Sequence, residues 1–470
     1  MVGSQNPLLR LKITPAFLPP SAASLGVVLT IECPTVERGS AVVVANQALK
    51  SGTTLHDMQA VDDEGELPMW SEISSENGYY GWVADRDMSG DVELSYAVAL
   101  TPIQKQTSSI YLDASGKGFL DSGWSFVYIP PGNNIYQNIV GWDLSGSPEG
   151  TRAVWTFGEG PDPVGKMGPA SILSDSVYMA GQIQSNPPPG NPSDYGYYWF
   201  GDIPSNVSDI HHESFRKASE FFDDPLSKLN PYRSFLRNNG TAKCMGGTSF
   251  NRSHIFDYDD LISQATDYDL VRYMSHKMIH IWLGPTASKN QPDWLFEGIS
   301  NALSVCFPFR FKFLTPHYFF STVNMLLTKY YTSSLIEQSH ADLLKLVPTD
   351  FYAQQLLGAR AWVCIIGADI AARHLSDVTK RPIEDLGIKP LAKKKAIGDR
   401  DGIEDFIGLL QPLMGDKITE LYEDMCKDSV MLLPVKGFFG PKTHRLMPID
   451  QQVLDFGIDV VSFDNEVEEW

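Results

Sequence analysis

His276 and His280 stand four residues apart in YMSHKMIHIWL, a segment whose apolar residues recur at helical spacing. On a helix that spacing stacks both imidazoles on one face, where they can converge on a single metal ion. A second apolar segment, WLFEGISNALSVC, follows after a short break and carries Glu297, a carboxylate that can serve as a third ligand. Lys277 sits between the two histidines, directly after the first.

Composition narrows the setting. A chain of 470 residues is long enough for about three domains of roughly 150 residues each. With 43% hydrophobic and 20% charged residues it reads as an ordinary globular protein able to bury a core. A formal charge of −20 argues against nucleic acid or an anionic membrane surface as partner. The opening MVGSQNPLLRLKITP lacks a basic stretch leading into a long apolar one, so no secretory signal is expected and the cytoplasm is the expected compartment. No run approaches the ~18 apolar residues of a membrane span, and the most apolar stretch, Ala361 to Ala372, carries Asp369. Cys33, Cys244, Cys306, Cys364 and Cys426 are widely spread without paired spacing, which predicts reduced thiols rather than disulfides. Lys393 to Lys395 reads as a basic surface loop.

Along the chain, the hydrophobic period is two as far as about residue 155. LLRLKIT, GVVLTIE, AVVVAN, GYYGWVA, VELSYAVAL, SIYLD, SFVYI and RAVWTF are short segments separated by Gly, Pro, Ser and Asp clusters, and they predict an antiparallel β domain over 1–155. Residues 156–200 read as loop-rich, with the prolines and glycines of QSNPPPGNPSDYGYYWF breaking regular structure before a final strand. DIHHESFRKASEFFDD predicts an amphipathic helix capped by Ser208 or Asp209, with His211 and His212 at its start, capping or on the surface. Gly246 and Gly247 before Thr248 allow close backbone approach, as at an edge strand. After Cys306 the pattern is helical as far as Lys427, with turn chemistry in VKGFFGPKTHRL and an acidic tail.

HIWLG, the WLFEG that follows and the preceding MGGTSF resemble the gluzincin metallopeptidases, in particular the glycyl aminopeptidase family, with weaker echoes in VGWDLSGSPEGTRAVWTFGEGP, YYWFGDIP, KYYTSSL and GFFGPKTHRL. The resemblance implies an α+β multidomain fold: an N-terminal antiparallel β domain over 1–155, a thermolysin-like catalytic lobe over 156–375 and a helical C-terminal part over 376–470. It implies a zinc aminopeptidase site at His276, His280 and Glu297. Gly246, Gly247 and Thr248 would hold substrate backbone, and Arg360 and Tyr331 would also contribute to substrate binding.

The departures fall where the chemistry would be. Peptidases of this kind carry H-E-x-x-H, in which the Glu takes a proton from zinc-bound water, and Lys277 occupies that position. Sixteen residues separate His280 from Glu297, against roughly eighteen in related aminopeptidases. Leu356 to Ala361 reads L-L-G-A-R-A where relatives tend to read L-P-Y-G-R-G. An ammonium beside a divalent cation weakens its binding, so the zinc is expected well below one per chain; alternatively Lys277 folds over Glu297 in the metal's place. His276, Lys277, His280 and Glu297 are then acid–base equipment in an apolar pocket. Three functions follow from this reading. The first is a non-peptidase enzyme that cyclises, isomerises or opens a small organic, biosynthetic substrate; the second is a pseudopeptidase that binds or scaffolds; the third is residual zinc hydrolysis.

Overall fold

The structure is a computed structural model that describes residues 6–17, 24–45, 55–73, 80–100, 113–115, 118–190, 193–201, 206–224, 227–238, 246–258, 265–284, 294–347, 350–376, 380–396, 403–426, 446–449 and 457–460. The chain divides into two compact units: Met1–Ser208 with Leu226–Gln264, and Asp209–Pro225 with Ala265–Trp470. The boundary expected near residue 155 falls inside the first unit. The helices after residue 376 join the second, because their apolar faces pack on the helices that precede them rather than forming a core of their own.

Alternating apolar residues build the first unit as the period of two predicts. Leu8–Ala16 buries Leu9, Leu11 and Ile13 and turns Arg10 and Lys12 outward. It pairs antiparallel with Ser24–Ile31, Leu11 opposite Leu29, and parallel with Ile135–Trp142, Leu11 opposite Val140. Val164–Pro169, Val92–Ala99, Leu55–Asp62 and Gly65–Glu66 extend this to seven strands. A three-stranded sheet (Ala41–Ala45, Tyr80–Ala84, Met69–Ile73) and a five-stranded one, centred on Val177–Gly181, complete the β layers. Their inward faces share one core, closed by Phe126, Trp142 and Tyr178 in edge contacts.

Two sequence expectations fail here. SFVYI is no strand: Gly123–Ser125 forms a 3-10 turn and only Ile129 makes a bridge, to Val44. Residues 156–200 hold real strands, Val164–Pro169 and Val177–Gly181, and the short helix α1 (Ser171–Ser174). VYMAG is buried at every position, so it shows none of the alternation that marks a half-exposed strand. SIYLD lies almost wholly outside the described residues, as do VKGFFGPKTHRL and the acidic tail. A further five-stranded sheet runs Gln184–Asn186, Tyr195–Trp199, Tyr232–Asn238, Ser253–Tyr258, Gly246–Phe250, the last strand at its edge.

The second unit is helical: α2 (Asn206–Phe221, from Asp209 on), α3 (Asp267–Leu283), α4 (Trp294–Arg310), α5 (Pro316–Tyr331), α6 (His340–Leu346), α7 (Phe351–Leu375), α8 (Lys389–Ala396), α9 (Ile403–Met414) and α10 (Lys417–Cys426). His211 is fully buried within α2 rather than on the surface, and burial holds its imidazole down at about 4. Tyr352–Leu375 has the length and the mean hydropathy (1.3) of a membrane span, but 72% of it is buried within the protein, so it packs as a core helix. A π-helical turn, Ile383–Ile388, leads into α8. Cys33 and Cys306 are free thiols and Cys364 is buried in α7; Cys244 and the Cys426 side chain lie outside the described residues.

Candidate metal centre

Helix α3 is anchored at both ends. Thr266 opens it with a capping box: its hydroxyl accepts from the Asp269 amide (3.2 Å) and its own amide donates to Asp269 Oδ2 (3.0 Å). The Tyr318 hydroxyl donates to the other Asp269 oxygen at 2.5 Å. At the far end Lys395 Nζ donates to the carbonyls of His280 (3.1 Å) and Ile281 (3.2 Å), placing a cation where the helix dipole is negative. The basic run 393–395 is therefore no surface loop. It is the last turn of α8, with Lys393 paired to Asp223 (3.0 Å) and Lys394 to Asp405.

Helix α4 delivers Glu297 from its first turn, where the helix dipole favours an ionised carboxylate. Gly298 beside it packs on α7, and a Cβ there would lie 2.6 Å from the Ala361 Cβ. Only glycine lets the two helices approach so closely.

The histidines and the glutamate converge. His276 Nε2 lies 3.1 Å from His280 Nε2, Glu297 Oε2 is 3.2 Å from the first, and Glu297 Oε1 is 3.3 Å from the second. Ligands about 2.0–2.1 Å from a tetrahedral zinc ion lie roughly 3.3–3.4 Å from one another. The two imidazole nitrogens stand close to that spacing, and with one atom taken from each residue the three donors lie within 4.8 Å of one another, a group that could hold a metal ion. Burial pushes the His276 imidazole down to about 4 in spite of the carboxylate beside it. Burial also works to raise Glu297, but the imidazoles, His280 foremost, hold it well below the usual carboxylate range. A neutral imidazole and an ionised carboxylate are the forms that ligate metal. The Glu297 side chain is 38% exposed, so the triangle has an open side.

The supporting shell is partial. Ser300 Oγ stands 3.4 Å from His280 Nδ1, whereas His276 Nδ1 is buried with no hydrogen-bond partner among the described residues. Lys277 is half-buried on α3. Both Glu297 carboxylate oxygens stand within ion-pair distance of an imidazole, Oε2 of His276 and Oε1 of His280. Ser300, three residues beyond Glu297 and so on the same helix face, was within reach of a spacing argument. Lys395, more than a hundred residues from His280, was not.

The other expected site residues are placed as follows. Gly246, Gly247 and Thr248 form the edge strand of the first unit, where a Cβ on Gly247 would meet the Ile255 carbonyl oxygen at 2.3 Å. Arg360 is buried in α7 and donates to the carbonyls of Gln338 (3.0 Å) and Ile336 (2.7 Å). Tyr331 ends α5 with its ring 4.8 Å from that of Tyr330, and burial lifts its phenol above the ordinary range.

No family model and no curated protein matches the chain. Solved structures do. An aminopeptidase N family protein from Idiomarina loihiensis superposes with a TM-score of 0.68 at 16% identity, over 91% of this chain and 77% of that one. An M1 zinc metallopeptidase from Deinococcus radiodurans superposes at 0.56 and 12% identity, over 92% of this chain and 95% of that one. A mutant of that enzyme with bound Tyr-Ser-Ala superposes at 0.52 and 12%, with the same coverage. The fold is that of the M1 zinc metallopeptidases. On this M1 fold α3 and α4 present the two histidines and the glutamate to one point. At these identities the likeness speaks for the fold alone.

Proposed function

We propose that the chain is a zinc-binding protein of metallopeptidase fold that has given up peptide cleavage and uses its inherited pocket on a small organic molecule. One observation carries this reading: three donor side chains whose ligand atoms gather within 4.8 Å of one another, with Lys277 at the position a base would occupy. The triangle supports a retained metal held by His276, His280 and Glu297. The ammonium speaks against hydrolysis, because a protonated lysine cannot take a proton from water at neutral pH. Zinc, when bound, supplies Lewis acidity toward a carbonyl or hydroxyl oxygen on the open side of the site. Lys277 can donate a proton or balance a developing oxyanion, and Glu297 with the imidazoles keeps the ligand charge fixed. Those roles suit an acid–base cyclisation, isomerisation or ring opening. The motif-level likeness to the glycyl aminopeptidases, and a cytoplasmic setting, belong to this proposal too.

A second reading, a pseudopeptidase that binds without turnover, draws on the buried His276 Nδ1, which has among the described residues no partner of the kind that a working zinc ligand normally has. Both readings predict the same first result. Chromogenic glycyl and alanyl amides should release no amine above the blank, since the missing base alone is worth some 10²–10⁴-fold in rate. Amine release abolished by a chelator would overturn both.

A further inference from the structure

Arg272 stands four residues before His276 on α3, so Arg272, His276 and His280 follow one another along a single helix face. Arg272 is only 8% exposed, and its Nε is buried with no hydrogen-bond partner. Among the described residues no carboxylate lies within ion-pair distance of it and no oxygen accepts a hydrogen bond from it. Its guanidinium rests 4.4 Å from the centre of the Tyr273 ring. The other buried arginines are treated differently. Arg237 grips Asp257, and Arg233, Arg252 and Arg360 each donate to a backbone carbonyl. A guanidinium taken out of water without an acceptor is costly, and a bound anion offsets that cost.

Helix α5 lies alongside the start of α3, where the Tyr318 hydroxyl reaches Asp269 and its ring stands 4.9 Å from that of Tyr268. The last turn of α5 carries Lys329, half-buried and also without an ion pair among the described residues. Burial first, and the Arg272 guanidinium second, pull its ammonium below the ordinary range, so the two cations share one field. Asp269 is the carboxylate that feels this guanidinium, but its oxygens are taken. Oδ2 accepts from the Thr266 amide and hydroxyl, and Oδ1 from Tyr318. Two cations thus face one engaged carboxylate. The planar fork of a guanidinium matches a carboxylate, and the single excess charge suits a monoanion. We propose that Arg272, aided by Lys329, anchors a carboxylate of the molecule that the metal centre acts on, which is therefore an organic acid. The link to the metal rests on the function proposed above, whereas the carboxylate anchor rests on Arg272 itself.

The first measurement takes the full chain, freed of metal with a chelator, and follows its melting temperature against sodium pentanoate, with sodium chloride at matched ionic strength as comparison. Pentanoate should raise the melting temperature saturably and chloride should not. Arg272→Met should abolish that rise, yet melt no lower than the unaltered protein without ligand, because it removes an unpaired buried cation. No saturable rise, a full rise in Arg272→Met, or a clear loss of stability in that variant without ligand would each overturn the assignment. The second measurement titrates the zinc-loaded full chain by calorimetry with alkyl hydroxamates of graded length that end in a carboxylate or in a primary amide. At one preferred length the carboxylate form should bind about tenfold or more tightly than the amide, and Lys329→Gln should shrink that advantage. Equal affinity of the two forms at every length would overturn the link between anchor and metal centre. Hydroxamates that do not bind, with pentanoate still bound by the metal-free chain, would sink the metal reading and leave the carboxylate anchor standing. The pentanoate and hydroxamate series need only the unaltered protein, so the proposal stands or falls even if a variant does not fold.

Discussion

At the residue scale the proposed function turns on position 277. A glutamate there would attract a bound divalent cation and serve as base, whereas lysine does neither. One unit charge about 5 Å from a divalent ion is worth roughly 6 kcal/mol at an effective dielectric near 20, and far less once the charge reaches solvent. Lys277 is half-buried, so part of that repulsion is felt. Lys277→Glu should therefore tighten zinc binding about tenfold or more, and Lys277→Ala should fall between it and the unaltered protein. Competition with a zinc-binding dye measures the series. Equal affinity across the three would mean that the ammonium points away from the cage. The histidine pair was legible in the sequence because four residues make about one helical turn and two imidazoles must then share a face. The anchoring roles of Thr266 and Lys395 were not legible there.

Among the elements, α4 has the most exacting placement. Its first turn carries Glu297, and the next residue, Gly298, meets α7 with no room for a side chain. Gly298→Ala should cost about 1–3 kcal/mol in stability, the usual penalty for overpacking. It should also weaken zinc binding, because relief of the clash moves the turn that holds Glu297. Thermal unfolding and zinc titration on the same preparation check both effects; a stable variant with undiminished zinc affinity would show that α4 has slack. The helix itself was predictable from its apolar spacing. Its dependence on a glycine facing Ala361 was not, since nothing local to either residue announces the contact.

On the scale of the whole molecule, buried ionisable groups set the pH range of the fold. Asp121 is fully buried in the first unit, 3.7 Å from Arg237, and burial lifts its carboxyl to about 7 despite that guanidinium. A carboxyl raised in the folded state adds stability that is complete below its unfolded value near 4 and is lost as pH climbs through 7. His211 in the second unit works in the opposite sense: its imidazole is pushed down to about 4, so its contribution is complete above roughly 6.5 and is lost as pH falls toward 4. Asp121→Asn, which keeps the oxygen that accepts from Ser125, should match the unaltered protein near pH 4 and gain melting temperature steadily toward pH 8. A melting-temperature difference independent of pH would show that Asp121 is ionised throughout and stabilised by Arg237.

By itself the sequence determined which segments are strands and which are helices wherever one face meets solvent, because only a half-buried element shows its period. It also brought out His276, His280 and Glu297 as candidate metal-binding side chains, since the spacing of the histidines on one helix is a local property. The tertiary structure decided the rest. Fully buried strands such as Val177–Gly181 carry no alternation to read. The division into two units follows from which surfaces bury each other, and composition does not encode that. Lys395 at the end of the histidine helix, Gly298 against Ala361 and Lys329 in the field of Arg272 each join residues far apart in the chain. Such meetings arise only when the helices pack, because the free energy that selects them comes from burial shared between distant segments.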